Sequence, residues 1–210
     1  STSEKPVIKQ PWRTKGSYYI LENLKFADRD GTTGGKIYIL SPTNYAALRY
    51  CEVSGNLKGG GAGVLSWDTG TASNVVIFNN NIHDNGDVNA TFDQDVHGIA
   101  ISARVDHVWI VDNEIFRNSG NGIQINGGKL NQSTTHHIYV GRNTFHSNNQ
   151  AGIGTKQAVD VIVSQNTIYN HHTRHISSEL RSIAGAVYQY APDYVWFIFN
   201  HIFDCDGGIT

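Results

Sequence analysis

The sequence predicts an all-β protein whose short strands stack as a solenoid along one axis. Three observations lead there: turn-forming residues are abundant, apolar residues alternate over short segments, and one segment pattern recurs along nearly the whole chain. The 210 residues suffice for one domain with a real core. Residues 1–210 are read as that single domain, with an extended segment over 1–17. Apolar residues make up 39% and charged residues 16% of the chain, both low, because Gly, Asn, Ser and Thr take their place. That mixture suits strands joined by turns rather than long helices.

Five segments align: VVIFNNNIHDN (75–85), VWIVDNEIFRN (108–118), IYVGRNTFHSN (138–148), VIVSQNTIYNH (161–171) and VWFIFNHIFDC (195–205). ALRYCEVSGN (47–56) and YILENLKFAD (19–28) are looser copies. Each has an apolar pair at alternate positions, then Asn, then an apolar residue. The shared Asn falls at Asn80, Asn113, Asn143, Asn166 and Asn200, with Cys51 in that place earlier. A second element opens on glycine: GVLSW (63–67), GIAIS (98–102), GIQIN (122–126), GIGTK (152–156) and GAVYQ (185–189). GKIYIL (35–40) belongs to the same series, and GGIT (207–210) opens a further copy.

Period-2 alternation predicts strands with one buried face. Val64, Ile99, Ile123 and Ile153 are the expected core positions. A unit this small cannot bury its own apolar side, but stacked units can. Stacking sets equivalent Asn residues about 4.8 Å apart, within reach of an amide ladder that satisfies buried polar groups. A second series, Asn56, Asn85, Asn118 and Asn148, marks the next turn, where left-handed backbone is expected. Cys51 and Cys205 fall about five repeats apart, roughly 24 Å, beyond disulfide reach. The chain stops in mid-repeat and has no Met, which predicts a processed form or a fragment of a longer protein.

The formal charge is 16 − 18 = −2, so there is no basic footprint for nucleic acid. No apolar run is long enough to insert in a membrane. GGGAG (59–63) lacks the Lys that a phosphate-cradling loop would carry next. Oligomeric state is not legible.

The motif of apolar pair, Asn, apolar residue, turn and Gly-Ile-x-Ile resembles the pectin-lyase-like superfamily over residues 18–210. The resemblance implies a right-handed parallel β-helix, a single-stranded solenoid of about six or seven coils. Proteins of this shape include pectate, alginate and chondroitin lyases, mannuronan epimerases, polygalacturonases and phage tailspikes. A secreted or cell-surface protein is thus expected, acting on an extracellular, uronate-containing polysaccharide.

On the Gly-led strands the outward column reads Trp67, Ser102, Asn126, Lys156 and Gln189, and its neighbour Leu65, Ala100, Gln124, Gly154 and Val187. Such a groove suits a sugar chain, with Trp67, Arg104, Gln124, Asn126 and Gln189 as substrate contacts. FDQDVHG (92–98) enters it at one edge. Asp95-Val96-His97 resembles the Asp-Pro-His of mannuronan epimerases, with Phe92 in place of a Tyr and Val96 in place of Pro. GTKQAVDVIVSQNTIYN (154–170) resembles the Lys-containing coil of alginate and chondroitin lyases. Proton abstraction at C5 of a uronate needs a base, a means of neutralising the carboxylate, and an acid. His97 is the candidate base, Lys156 and Arg174 the neutralising charges, and Tyr190 the acid, with Tyr188 as its substitute. Asp93 and Asp95 would orient His97 or hold a metal. Calcium is the ion to test, although Ala151 and Gly152 stand where those lyases carry acidic calcium ligands.

Asp93 and Asp95 as a hydrolytic pair is a weaker reading, since the Asp-Asp and Gly-His-Gly of polygalacturonases are missing. Histidines also cluster at HHTRH (171–175) and HH (136–137). His171 and His175 would share one face of a short helix, and zinc would need a third ligand. The competing class is a carbohydrate-binding or structural β-helix without catalysis.

Overall fold

The computed structural model describes residues 4–27, 36–57, 60–66, 69–90, 94–128, 134–172, 183–187 and 192–210. All its strand pairings are parallel, in two sheets. The smaller sheet runs β1 (Val7–Ile8), β3 (Lys25–Ala27), β5 (Glu52–Ser54), β8 (Asn81–His83), β11 (Glu114–Phe116), β14 (Thr144–His146), β17 (Thr167–His171) and β20 (His201–Cys205). The larger is a curled sheet with two arms that meet at the long strand β4 (Ile37–Arg49). One arm continues through β7 (Ala72–Phe78), β10 (Val105–Val111), β13 (His136–Gly141), β16 (Val159–Ser164) and β19 (Asp193–Ile198). The other continues through β6 (Gly60–Leu65), β9 (His97–Ile101), β12 (Ile123–Asn126), β15 (Ala151–Lys156), β18 (Ile183–Val187) and β21 (Gly207–Ile209). β2 (Trp12–Glu22) lies on β4, so residues 12–17 join this sheet rather than flank it. The arrangement is all-β and compatible with a parallel solenoid.

The repeats set the register. Trp109 pairs with Val76 and Tyr139, and Ile115 with Ile82 and Phe145. Like therefore stacks on like, and the inward columns fuse into one apolar core containing Ile77, Ile110, Val140 and Val163. Val64, Ile99, Ile123 and Ile153 are fully buried in it.

The Asn ladder forms as the spacing predicts. Nδ2 of Asn80, Asn113, Asn143 and Asn166 donates to Oδ1 of the next Asn at 2.9, 2.9, 3.0 and 2.9 Å. The same oxygens accept backbone N–H groups, and Nδ2 of Asn113 also reaches the Ile77 carbonyl. Corner groups that would otherwise be buried and unpaired are thereby satisfied. Cys51 continues this line through its N–H, which donates to Asn80 Oδ1 at 2.8 Å. The second Asn series is also a ladder: Nδ2 of Asn85 and Asn118 donates to the next Oδ1 at 2.8 and 2.9 Å.

The left-handed residue of these corners is not the Asn but the one before it. Asp84, Arg117 and Ser147 have φ of 51°, 53° and 56°, and Asn79, Asp112 and Arg142 do the same at the first ladder. The left-handed residue turns the chain, and the Asn that follows is aimed inward to stack.

Two expectations are corrected. His171 is not on a helix: it ends strand β17 and is fully buried. The Gly-led strands are out of the assumed alignment, since Gly63 pairs with Ala100 rather than Gly98, and Gly185 with Ile153 rather than Gly152. Gly98, Gly122 and Gly152 do share a register. A Cβ on each would stand 2.6, 2.6 and 2.7 Å from the carbonyl oxygen of the next repeat, so close stacking of corners demands glycine there. Gly63 and Gly185 begin no such corner, which is why a Gly-based alignment slips. Cys51 and Cys205 are both free thiols.

Candidate functional site

The expected groove is only partly an open surface. Gln124, on β12, is buried, and its amide is used internally: Oε1 accepts from Asn121 Nδ2 at 2.6 Å and Nε2 donates to the Ile125 carbonyl at 2.9 Å. Nearby, Tyr38, Leu40 and Leu65 bury one another in a small apolar cluster with Ala100. Asn126 is exposed, and its Oδ1 accepts from the Gly128 N–H. Arg104, at a left-handed corner, donates from Nε to Ser66 Oγ at 3.2 Å. Trp67, Asp93, Arg174, Tyr188, Gln189 and Tyr190 lie outside the described residues.

His97 opens β9 and is 7% exposed. The Asn121 N–H donates to its Nδ1 at 3.0 Å, so the proton of the neutral ring sits on Nε2. Nε2 lies 3.3 Å from Asp95 Oδ1. Both ring nitrogens of His97 thus have a protein neighbour, the Asn121 N–H on one side and the Asp95 carboxylate on the other. Lys156 is at the far end of β15, in register with Asn126. His97 is level with Asn121, two strands away and five residues back. The pair is thus about 19 Å apart by strand spacing and rise. Asp95 also belongs to no three-ligand group among the described residues.

The outward face of the other arm is different. Ile20, Ala47, Val76, Trp109, Tyr139, Ile162 and Trp196 form one in-register column across β2, β4, β7, β10, β13, β16 and β19. Trp196, Ile20, Ile162 and Trp109 are 55%, 55%, 40% and 39% exposed, so this is a continuous apolar stripe rather than isolated residues. The left-handed positions Tyr18, Tyr45, Asn74, His107, His137, Asp160 and Tyr194 flank it. Two shallow depressions lie along it. One of about 330 Å³ is lined by Tyr18, Tyr45, Asn74 and Val76, and one of about 280 Å³ by His107, Trp109, Tyr139, Asp160 and Ile162. The sequence carried a signal for this face in VWIV, IYV, VIV and VWFI, where apolar residues run on without alternation.

Two other surfaces rank behind it. On the smaller sheet, His83, Phe116, His146, Tyr169 and Phe203 stack face to face at 4.7–5.1 Å. The inner rings cover one another's faces, and Phe203 at the end of the stack is 42% exposed. No ring stacks face to face on Trp109 or Trp196 among the described residues. A wider polar cleft of about 630 Å³ contains Glu22, Asp112 and Glu114. Glu22 pairs with Arg49 at 2.9 Å and Asp112 with Arg142 at 2.8 Å, as on a solvated charged face.

No family model, curated protein or solved structure matches this chain.

Proposed function

We propose that this protein is a right-handed parallel β-helix of seven coils that binds an extracellular polysaccharide through the aromatic face of its larger sheet, without cutting it. The coil number takes β2 and β4 as spanning two faces each and closes each coil on one strand of the smaller sheet. The observation that carries the binding reading is the exposed column with unstacked Trp109 and Trp196. A Trp ring face packs on sugar C–H groups, and amides such as Asn74 and Asn44 beside the column bond hydroxyls. Register sets Trp109 and Trp196 three strands apart, about 14 Å. That spacing suits an extended chain lying across the strands.

Binding is preferred over C5 lyase or epimerase chemistry because the latter needs a base with a free nitrogen beside a cation. His97 is spent on Asn121 and Asp95, and Lys156 is remote from it. An extracellular setting, secreted or at the cell surface, follows from such a ligand.

The test is affinity electrophoresis on a panel of uronate and neutral polysaccharides, with ultraviolet absorbance followed for unsaturated ends. Retardation by at least one polysaccharide, lost in Trp109→Ala and Trp196→Ala, with flat absorbance, is the expected result. Rising absorbance would restore the lyase reading. Retardation unchanged in both variants would remove the aromatic face as the binding surface.

A further inference from the structure

The strand register brings two dipeptides side by side. Asp106 pairs with His136 across β10 and β13, so Asp106-His107 lies against His136-His137. His107 and His137 both have left-handed backbone, with φ of 50° and 55°. Both side chains therefore leave the sheet in the same direction, and their rings stack at 4.7 Å and 6°. The His136 ring stands across the His137 ring at 79°. One ligand nitrogen from each of the three histidines lies within 4.8 Å of the others.

We propose that His107, His136 and His137 bind a divalent transition-metal ion of the zinc class, with Asp106 as their positioning carboxylate. Imidazole nitrogen suits zinc, copper and nickel, and three imidazoles with an open fourth position is a recurrent zinc arrangement. A tetrahedral site with bonds of about 2.05 Å places its nitrogens about 3.3 Å apart. Closing the set to that spacing takes rotation of exposed His137 and half-buried His136 toward Nε2 of His107, which Asp106 holds. His136 Nδ1 and His137 Nδ1 are 2.6 Å apart, a hydrogen bond held by one proton; a metal ion would displace that proton and open the pair to about 3.3 Å.

Asp106 is the independent indication. Its Oδ1 accepts from His107 Nδ1 at 2.7 Å, and its Oδ2 accepts from Ser73 Oγ at 2.9 Å. A carboxylate only accepts, so Nδ1 of His107 carries the proton and Nε2 keeps its lone pair for a metal. This is the carboxylate–histidine pairing that orients metal ligands. Ser73 on β7 fixes the carboxylate in turn. The open side of the cluster gives onto the depression lined by Trp109, Tyr139, Asp160 and Ile162. A water or a ligand oxygen would fill the fourth position there. The inference does not rest on the polysaccharide reading.

The experiment is calorimetric titration of the whole chain with Zn²⁺ at neutral pH, alongside thermal unfolding with and without Zn²⁺. One saturable site is expected, with Zn²⁺ raising the unfolding temperature. His107→Gln with His137→Gln should abolish both effects, and Asp106→Asn should weaken affinity by about 10- to 100-fold. His201→Ala, an exposed histidine elsewhere, should change neither. Equal affinity in wild type and the double variant would overturn the proposal, as would the absence of saturable binding by wild type. Full affinity in Asp106→Asn would overturn the role given to the carboxylate. Circular dichroism of each variant separates loss of the site from loss of the fold.

Discussion

His171 makes the stability of this protein sensitive to acid, and the effect can be worked out in advance. It takes the place that Asn85, Asn118 and Asn148 hold in the second ladder. Its Nδ1–H donates to the Asn148 carbonyl at 3.2 Å, while Nε2 is buried without a partner. Burial is the largest influence on the ring and pushes its pKa from 6.5 down to about 4, with the neighbouring His146 and His172 adding to the push. The folded state then refuses a proton that the unfolded state accepts. The contribution is fully present above pH 6.5 and is lost as the pH falls toward 4. The total is about 3 kcal/mol, and most of it falls between pH 7.5 and 4.5. His171→Asn removes the titrating group and restores an acceptor for the Asn148 N–H. Urea unfolding of both proteins at the two pH values isolates the term. The wild type should lose roughly 2 to 3 kcal/mol more than the variant on acidification. His172 works the other way: its hydrogen bond to Asp206, with Asp204 adding, holds its pKa up. It therefore stabilises below its ordinary pKa, and it largely cancels in the comparison because both proteins carry it. Equal acid losses in the two proteins would refute the assignment.

Two further outcomes test the ladders. Asn113→Ala strands the Asn80 N–H and removes the amide donor from the Ile77 carbonyl and from Asn143 Oδ1, which keeps the backbone N–H of residue 113, so a loss of about 3 kcal/mol in urea unfolding is expected, whereas exposed Asn126→Ala should stay within about 0.5 kcal/mol. Cys51→Asn should extend the first ladder, with its new amide reaching the Leu21 carbonyl as Asn80 reaches that of Leu48, and raise stability by about 1 kcal/mol in the same assay.

The fold was legible because its determinants are local and repeated. Asn80, Asn113, Asn143, Asn166 and Asn200 each sit between apolar residues of fixed spacing, and stacking is the arrangement that satisfies all of them together. Loop lengths between copies vary, yet the ladder re-registers the chain at every corner. Where the marker was glycine, the reading slipped. Glycine answers to crowding at one corner, as at Gly98, Gly122 and Gly152, but also to unrelated needs at Gly63 and Gly185. A slip of one residue turns a column from one face to the other. At Gly185 the slip is one residue and turns the column over; at Gly63 it is two, which keeps the face but shifts the column along the strand.

The site was less legible for a related reason. His97 and Lys156 were joined because each resembled a residue of a polysaccharide-active family, but separation along the strands is set by register, which neither motif encodes. His97 is instead a corner histidine held by Asn121 and Asp95. The histidines that do converge are the His136-His137 pair, already conspicuous in the sequence, and His107, whose Asp106-His107 dipeptide lies 30 residues earlier, the same offset that separates Asn113 from Asn143. The ladder that aligns the two Asn residues therefore also aligns the two dipeptides. Parallel strands stacked in register build a site by placing compatible side chains at one position of successive repeats. Their columns, rather than their motifs, are where function is to be sought, and here the column with exposed Trp109 and Trp196 runs beside the one that carries the histidines.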